Sequence, residues 1–173
     1  MKSRFVFLSI LIILFSANVF AQKQTAVAFV DSFYKFQRTR SGMFNTSEVN
    51  LHKRWFSAEL NSLLQNELKR EKEYLKQNPT DKPHFGDGLT FEPSDECYKM
   101  GKYYKHLYKI GATTADGNKT IVEIKFSNPK VCGGDFIETY KVELIKSKGV
   151  WLINDWVYGD GTRLTADLKR KDY

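Results

Sequence analysis

Metal-binding residues are scarce in this chain. It has two cysteines and three histidines among 173 residues, and no Cys or His pair stands at ligand spacing, which argues against a zinc site. No Gly-x4-Gly-Lys-Ser/Thr run is present to cradle a nucleotide phosphate. No three-glycine fingerprint opens a βαβ unit, no Gly-x-Ser-x-Gly elbow presents a serine nucleophile, and no acidic ladder with a closing Glu offers a calcium loop. These absences predict neither cofactor nor metal. After the first two dozen residues no apolar run is long enough to span a bilayer.

What is present begins with a leader. Lys2 and Arg4 precede an apolar run, Phe5 to Phe15, interrupted only by Ser9, and Val19-Phe20-Ala21 follows. This layout predicts a signal peptide over 1–21, cleaved after Ala21. No cysteine near the cut could take a lipid. The remaining residues, 22–173, are expected to form one domain with a real core. The precursor has 27 basic and 20 acidic residues; losing Lys2 and Arg4 leaves a net charge of +5. The lysines are scattered, so nucleic acid is not expected as a partner, whereas an acidic partner is compatible. Export to a periplasmic or secreted location would be oxidising, so Cys97 and Cys132 are expected to pair.

The pattern is helical first and strand-like later. Residues 24–37 put Val27, Val30, Phe33 and Tyr34 on one face, with Phe29 and Phe36 flanking. RTRSGMFNT, 38–46, reads as a polar loop, and a short helix is expected over 48–55. Ser57 reads as the N-cap of a helix running to about Gln77, ended by Asn78-Pro79. Its stripe is Leu60, Leu63, Leu64, Leu68, Tyr74 and Leu75, and its KREKEYLK face reads as solvated, with Glu67–Arg70 and Glu73–Lys76 pairs. A long connection, 82–96, leads to expected strands over 98–115, 121–127, 136–146 and 150–158. Loop 128–135 and the turns Asp116-Gly117 and Lys148-Gly149 punctuate them. With Asp116 and Gly117 as the turn, cross-strand partners miss a direct Cys97–Cys132 opposition by four positions. A bridge would therefore tie the second loop back to the base of the first strand. The fold class expected is α+β, with N-terminal helices packed on a curved antiparallel sheet of about four strands.

An aromatic residue followed by Gly-Asp-Gly occurs twice, at 85–88 and 158–161. Two glycines around an Asp supply positive φ and local hydrogen bonding, so both read as turns. Asp87 keeps some functional interest because its loop is long. RLTADLKRKDY at the end reads as a polar tail with one or two apolar anchors.

Four stretches carry a resemblance: AVAFVDSFYKF, RWFSAELNSLL, HFGDGLTFEPSDE and GVWLINDWVYGDGTRLTADL. Together they resemble a family of small exported bacterial domains of unknown function, similar in fold to the nuclear transport factor 2-like superfamily. The resemblance implies a cone-shaped α+β fold with a hollow between helices and sheet. In some members of that superfamily an Asp–His pair in the hollow does acid–base work.

Two functional classes stay open from the residues. The first is a non-catalytic exported binding module for a small molecule or a partner protein, an inhibitor or immunity role being one form. Its candidate ligand-binding residues are Tyr104, Tyr108 and Trp156, although strand aromatics also serve as core. The second is a small pocket hydrolase or isomerase with Asp87 or Asp155 as base and His106 or a Tyr positioning substrate. His106, alternating with Tyr104 and Tyr108, is either a pocket residue or an ordinary strand histidine.

Overall fold

The computed structural model describes residues 24–40, 42–86, 88, 91–93 and 97–170. The expected leader and Asp87 lie outside the described residues. Helix α1, Ala26–Gln37, begins where the Thr25 hydroxyl accepts the Ala28 N–H at 3.1 Å. Its buried positions are Ala26, Phe29, Val30, Phe33, Tyr34 and Gln37, alternating steps of three and one or three and four along a helical face. Val27 is more exposed than its assignment to the stripe predicts. Helix α2, Thr46–His52, starts inside the predicted polar loop because Asn45 accepts the Glu48 N–H and caps it. A 3₁₀ turn, Lys53–Trp55, follows.

Helix α3, Ala58–Gln77, has the predicted Ser57 cap, whose hydroxyl accepts the Leu60 N–H at 3.1 Å. Its buried positions are Leu60, Leu64, Glu67 and Glu71. The face expected to be solvated therefore turns partly inward. Glu67 is paired with Arg70, as its spacing predicts, but lies beneath His84 at 3.3 Å. Glu71 accepts the Phe85 N–H at 2.6 Å. Burial raises the Glu71 carboxyl above its ordinary range.

The main sheet is an open antiparallel meander in the order β3 (Leu107–Asp116), β4 (Lys119–Ser127), β5 (Phe136–Ser147) and β6 (Val150–Val157). Its helix-side face presents Val122, Ile124, Phe126, Tyr140, Val142, Leu144, Ile153 and Trp156 to the residues of α1 and α3. The α+β layering is thus as the sequence pattern predicts. The predicted first strand, 98–115, is broken. Met100 and Gly101 both have positive φ and turn a separate two-stranded hairpin, β1 (Cys97–Lys99) with β2 (Lys102–Tyr104). Lys105 and His106 belong to no strand. The β3–β4 turn also sits one residue later than expected, since Asp116 pairs with Lys119. Helix α4, Leu164–Lys169, replaces the expected tail and buries Leu164 and Leu168.

Trp156 sits at the centre of the core. Its ring centroid is 4.5 Å from that of Phe91, 5.4 Å from Phe33 and 5.7 Å from Phe56. Its indole N–H donates to the Tyr34 hydroxyl at 3.4 Å, and that hydroxyl donates to the Phe91 carbonyl at 3.0 Å. Core packing against α1 and the 91 segment, not ligand contact, accounts for Trp156, which leaves no ring face on the surface.

Candidate functional site

Cys97 and Cys132 form a disulfide, with Cα atoms 6.1 Å apart. Cys132 ends a 3₁₀ turn, Lys130–Cys132, in the loop between β4 and β5. The bond therefore ties the base of the β1–β2 hairpin to that loop: the pairing and the tie to the second loop are as expected, but Cys97 stands in a separate hairpin and not in a strand of the main sheet. An isolated two-stranded hairpin is marginal in water, so this anchor decides whether β1 and β2 stay paired.

The anchored hairpin exposes what most proteins bury. Tyr98 and Tyr103 are cross-strand partners, with ring centroids 4.7 Å apart, and are 57% and 64% exposed. Met100 at the tip is 93% exposed, in a left-handed conformation that a non-glycine residue seldom adopts. Lys99 faces Lys102 directly across the pair, a like-charge placement that weakens a hairpin. Leu107 and Phe136, both exposed, share a row through Ser127 at the same end of the sheet. Exposed Val131 sits beside the disulfide.

Behind the hairpin, where α1 ends, lies a cleft of about 310 Å³. Gln37, Arg38, Arg40 and Gly42 line it together with Glu92 and Pro93, and Tyr103, Tyr104, Lys105 and His106 complete it. Arg38 holds Glu92 in a two-pronged bond, both contacts at 3.1 Å. It also donates to the His106 carbonyl and stacks 4.5 Å from the Tyr108 ring centroid. Lys105 donates to the Arg38 carbonyl at 2.6 Å, satisfying an acceptor at the helix end. Arg40 is paired with Glu48 at 3.0 and 3.3 Å.

His106 is the anomaly of this cleft. It is 4% exposed, and neither ring nitrogen has a hydrogen-bond partner among the described residues. Buried polar groups are nearly always paired, and leaving one unmade costs about 1–3 kcal/mol. Such an exception asks for an explanation.

The remaining candidates are spread apart. Tyr104 lines the cleft, with Lys102 5.4 Å from its ring centroid. Tyr108 points to α1, donating to Asp31 at 2.9 Å. Burial, followed by the bond to Asp31, pushes its hydroxyl up to about 12, so it is a committed neutral donor. Asp155 lies on β6, the opposite edge strand from β3, which His106 precedes. Its carboxylate accepts from Arg163 at 2.9 Å and from the Thr165 N–H and hydroxyl at 3.0 and 2.8 Å. Asp155 thus holds the entry to α4. Its cross-strand partner Glu143 is bound by Lys119 and Arg163. Burial raises that carboxyl, but the two cations outweigh burial and bring it below its ordinary range.

The Gly-Asp-Gly copies behave as turns where they are described. Asp160 accepts the N–H and hydroxyl of Thr162 at 2.9 and 2.7 Å. Gly88 has φ of +100°, and a Cβ there would run into the Gly42 carbonyl. Residues that the sequence reading passed over are Arg38, Arg40 and Glu92. Two arginines straight after an amphipathic helix were the available signal, because cations favour a helix C-terminus.

No group of three or more His, Cys, Asp or Glu that could hold a metal ion occurs among the described residues. No described helix is long and apolar enough to cross a membrane. No protein-family model, curated protein or solved structure matches the chain.

Proposed function

We propose that this is an exported, non-catalytic binding module that docks a partner protein of acidic surface through the disulfide-anchored β1–β2 hairpin. The observation that carries the reading is the hairpin itself. Paired tyrosines and a methionine stand in solvent beside two lysines that face each other. Tyr and Met with a basic rim are the composition of interface centres. A partner's carboxylates between Lys99 and Lys102 would turn a repulsive pair into an attractive one. The disulfide and the leader-like first residues support export. The analogy to nuclear transport factor 2-like domains is part of this proposal and rests on element order and the quoted stretches. An enzyme reading needs a carboxylate within reach of His106. Asp155 is on the far edge of the sheet, and Glu92 is held by Arg38.

The test uses residues 22–173 as bait in an extract of the producing cell's envelope, followed by affinity measurement with the partner retained. The Lys99→Glu/Lys102→Glu variant should lose about tenfold or more in affinity, and Tyr98→Ala/Tyr103→Ala a similar amount. A retained partner indifferent to both variants would refute this docking surface.

A further inference from the structure

We infer that Gln37 and His52 form a pH-sensitive latch in the wall of the cleft: the Gln37 amide turns end for end when His52 gains a proton, and the polar group that it shows to the cleft changes from an acceptor to a donor. This goes beyond the docking reading and does not rest on it. His52 is 1% exposed, and both of its ring nitrogens are engaged. Nδ1 lies 2.7 Å from the Glu48 carbonyl oxygen. A carbonyl only accepts, so Nδ1 carries a hydrogen in either charge state. That fixes the role of the other nitrogen. In the neutral ring Nε2 is a bare acceptor, and in the imidazolium it donates. Its partner is the Gln37 side-chain amide, 2.5 Å away. An amide has an acceptor oxygen at one end and a donor NH2 at the other, so it serves both states, in opposite orientations. The contact in the structure, Nε2 to Oε1, is the arrangement of the imidazolium.

The neutral ring prevails at neutral pH, because burial lowers the His52 pKa. Of the charged groups around it, Glu48 from α2 favours the proton, whereas Arg40 beyond α1 and Arg54 from the 3₁₀ turn oppose it. The other neighbours are rings: Phe33 and Phe36 from α1, Phe56 stacked at 5.8 Å, and Phe91. With the imidazole held among them, turning the terminal amide is the smallest adjustment that keeps both nitrogens paired, since its two ends are nearly equal in size. Buried polar groups are seldom left unpaired. Gln37 lines the cleft, and its Nε2 end is the one toward Gly42, another cleft residue: a Cβ on Gly42 would stand 4.0 Å from it. The end not bonded to His52 is therefore the end that the cleft meets. Around it Arg38, Arg40 and Lys105 are donors, and Glu92 is held by Arg38. With His52 neutral, Gln37 adds a carbonyl acceptor to this wall; with His52 charged, it adds one more donor.

The experiment follows isotope-labelled residues 22–173 by NMR from about pH 7.5 to about pH 4.5. Expected at the upper end is a His52 ring protonated at Nδ1 alone, with a scalar coupling across the hydrogen bond between its Nε2 and the Gln37 amide nitrogen. In acid Nε2 gains its proton, and the coupling vanishes with the same midpoint, because Gln37 then presents its oxygen. Gln37→Glu replaces the amide by a carboxylate, which only accepts. The His52 midpoint should rise by about one unit or more, a proton held about tenfold tighter. His52→Phe keeps an aromatic ring beside Phe56 and should leave the Gln37 amide signals insensitive to pH over the same range. If His52→Phe does not fold, the coupling and Gln37→Glu decide the matter. A bare Nδ1 or no coupling at the upper end, or a ring that stays neutral until the protein unfolds, would overturn the latch. So would a Gln37→Glu midpoint that does not rise.

Discussion

Replacing His106 by Leu should make the free protein more stable. The ring is 4% exposed, and both its nitrogens lack partners among the described residues. Leaving a buried polar group unmade costs about 1–3 kcal/mol. Leu is of comparable bulk and has no polar atom, so the cavity left is small. Imperfect fit of a branched side chain in place of a flat ring takes back part of the gain, about 1 kcal/mol. The net expectation is a stabilisation of up to about 2 kcal/mol. Urea denaturation of residues 22–173 with the disulfide intact, followed by tryptophan fluorescence, measures it. With a slope of about 2 kcal/mol/M, the midpoint rises by up to about 1 M while the slope stays unchanged. The melting temperature rises by up to roughly 8 °C. A midpoint that falls would refute the reasoning, because it would mean that the ring is satisfied in the free protein.

Other outcomes follow from the same geometry. Trp156→Ala removes the ring that meets Phe33, Phe56 and Phe91 and should cost about 3–5 kcal/mol; a urea midpoint within 0.3 M or so of wild type would contradict its central place. Cys97→Ser/Cys132→Ser opens a bond across a sequence separation of 35, worth about 4 kcal/mol in the chain-entropy model. Amide exchange in residues 97–104 should accelerate more than in β4, and equal acceleration would deny the hairpin its anchor. Glu143 titrates below its ordinary range in the folded state, so its contribution is present above the unfolded value, about 4.3, and is lost as pH falls below it. Arg163→Met removes one of its two cations and leaves Asp155 without its ion pair; it should destabilise at pH 7 by about 1–3 kcal/mol, below the roughly 3–5 kcal/mol for breaking a fully buried pair, because the guanidinium is half exposed. The loss should shrink toward pH 4, and a pH-independent loss would show that packing, not charge, holds that corner. His52 has its pKa lowered, chiefly by burial, so its contribution is present above the unfolded value near 6.5 and is lost as pH falls through the window below it. His52→Gln should flatten that part of the stability curve, and an unchanged curve would point to another group.

The helices were legible because their signals are local. Ser57 before Leu60, Leu64 and the rest of the stripe announces α3 without any distant contact. The strand alternation in β4 is equally self-contained: Val122, Ile124 and Phe126 face in while Glu123 and Lys125 do not. The first predicted strand failed at Met100-Gly101. Alternation of tyrosines ran on through the turn, and a methionine in a left-handed conformation has no propensity signal. Helix α4 was missed because its two leucines stand in a polar run; only Asp155, brought from β6 to Thr165, completes its first turn.

Local chemistry along the chain therefore determined the α+β class, the two Gly-Asp-Gly turns where they are described, and the pairing of Cys97 with Cys132, since capping, side-chain alternation and thiol count act over a few residues or by arithmetic. Only the folded state decided that Trp156 is core, that Asp155 closes a helix, and that Arg38, Glu92 and His106 surround one cleft. Those outcomes depend on which side chains distant segments bring within a few ångströms, and on which polar atoms are left over once the nearest partners are taken. Neither quantity is carried by spacing along the chain.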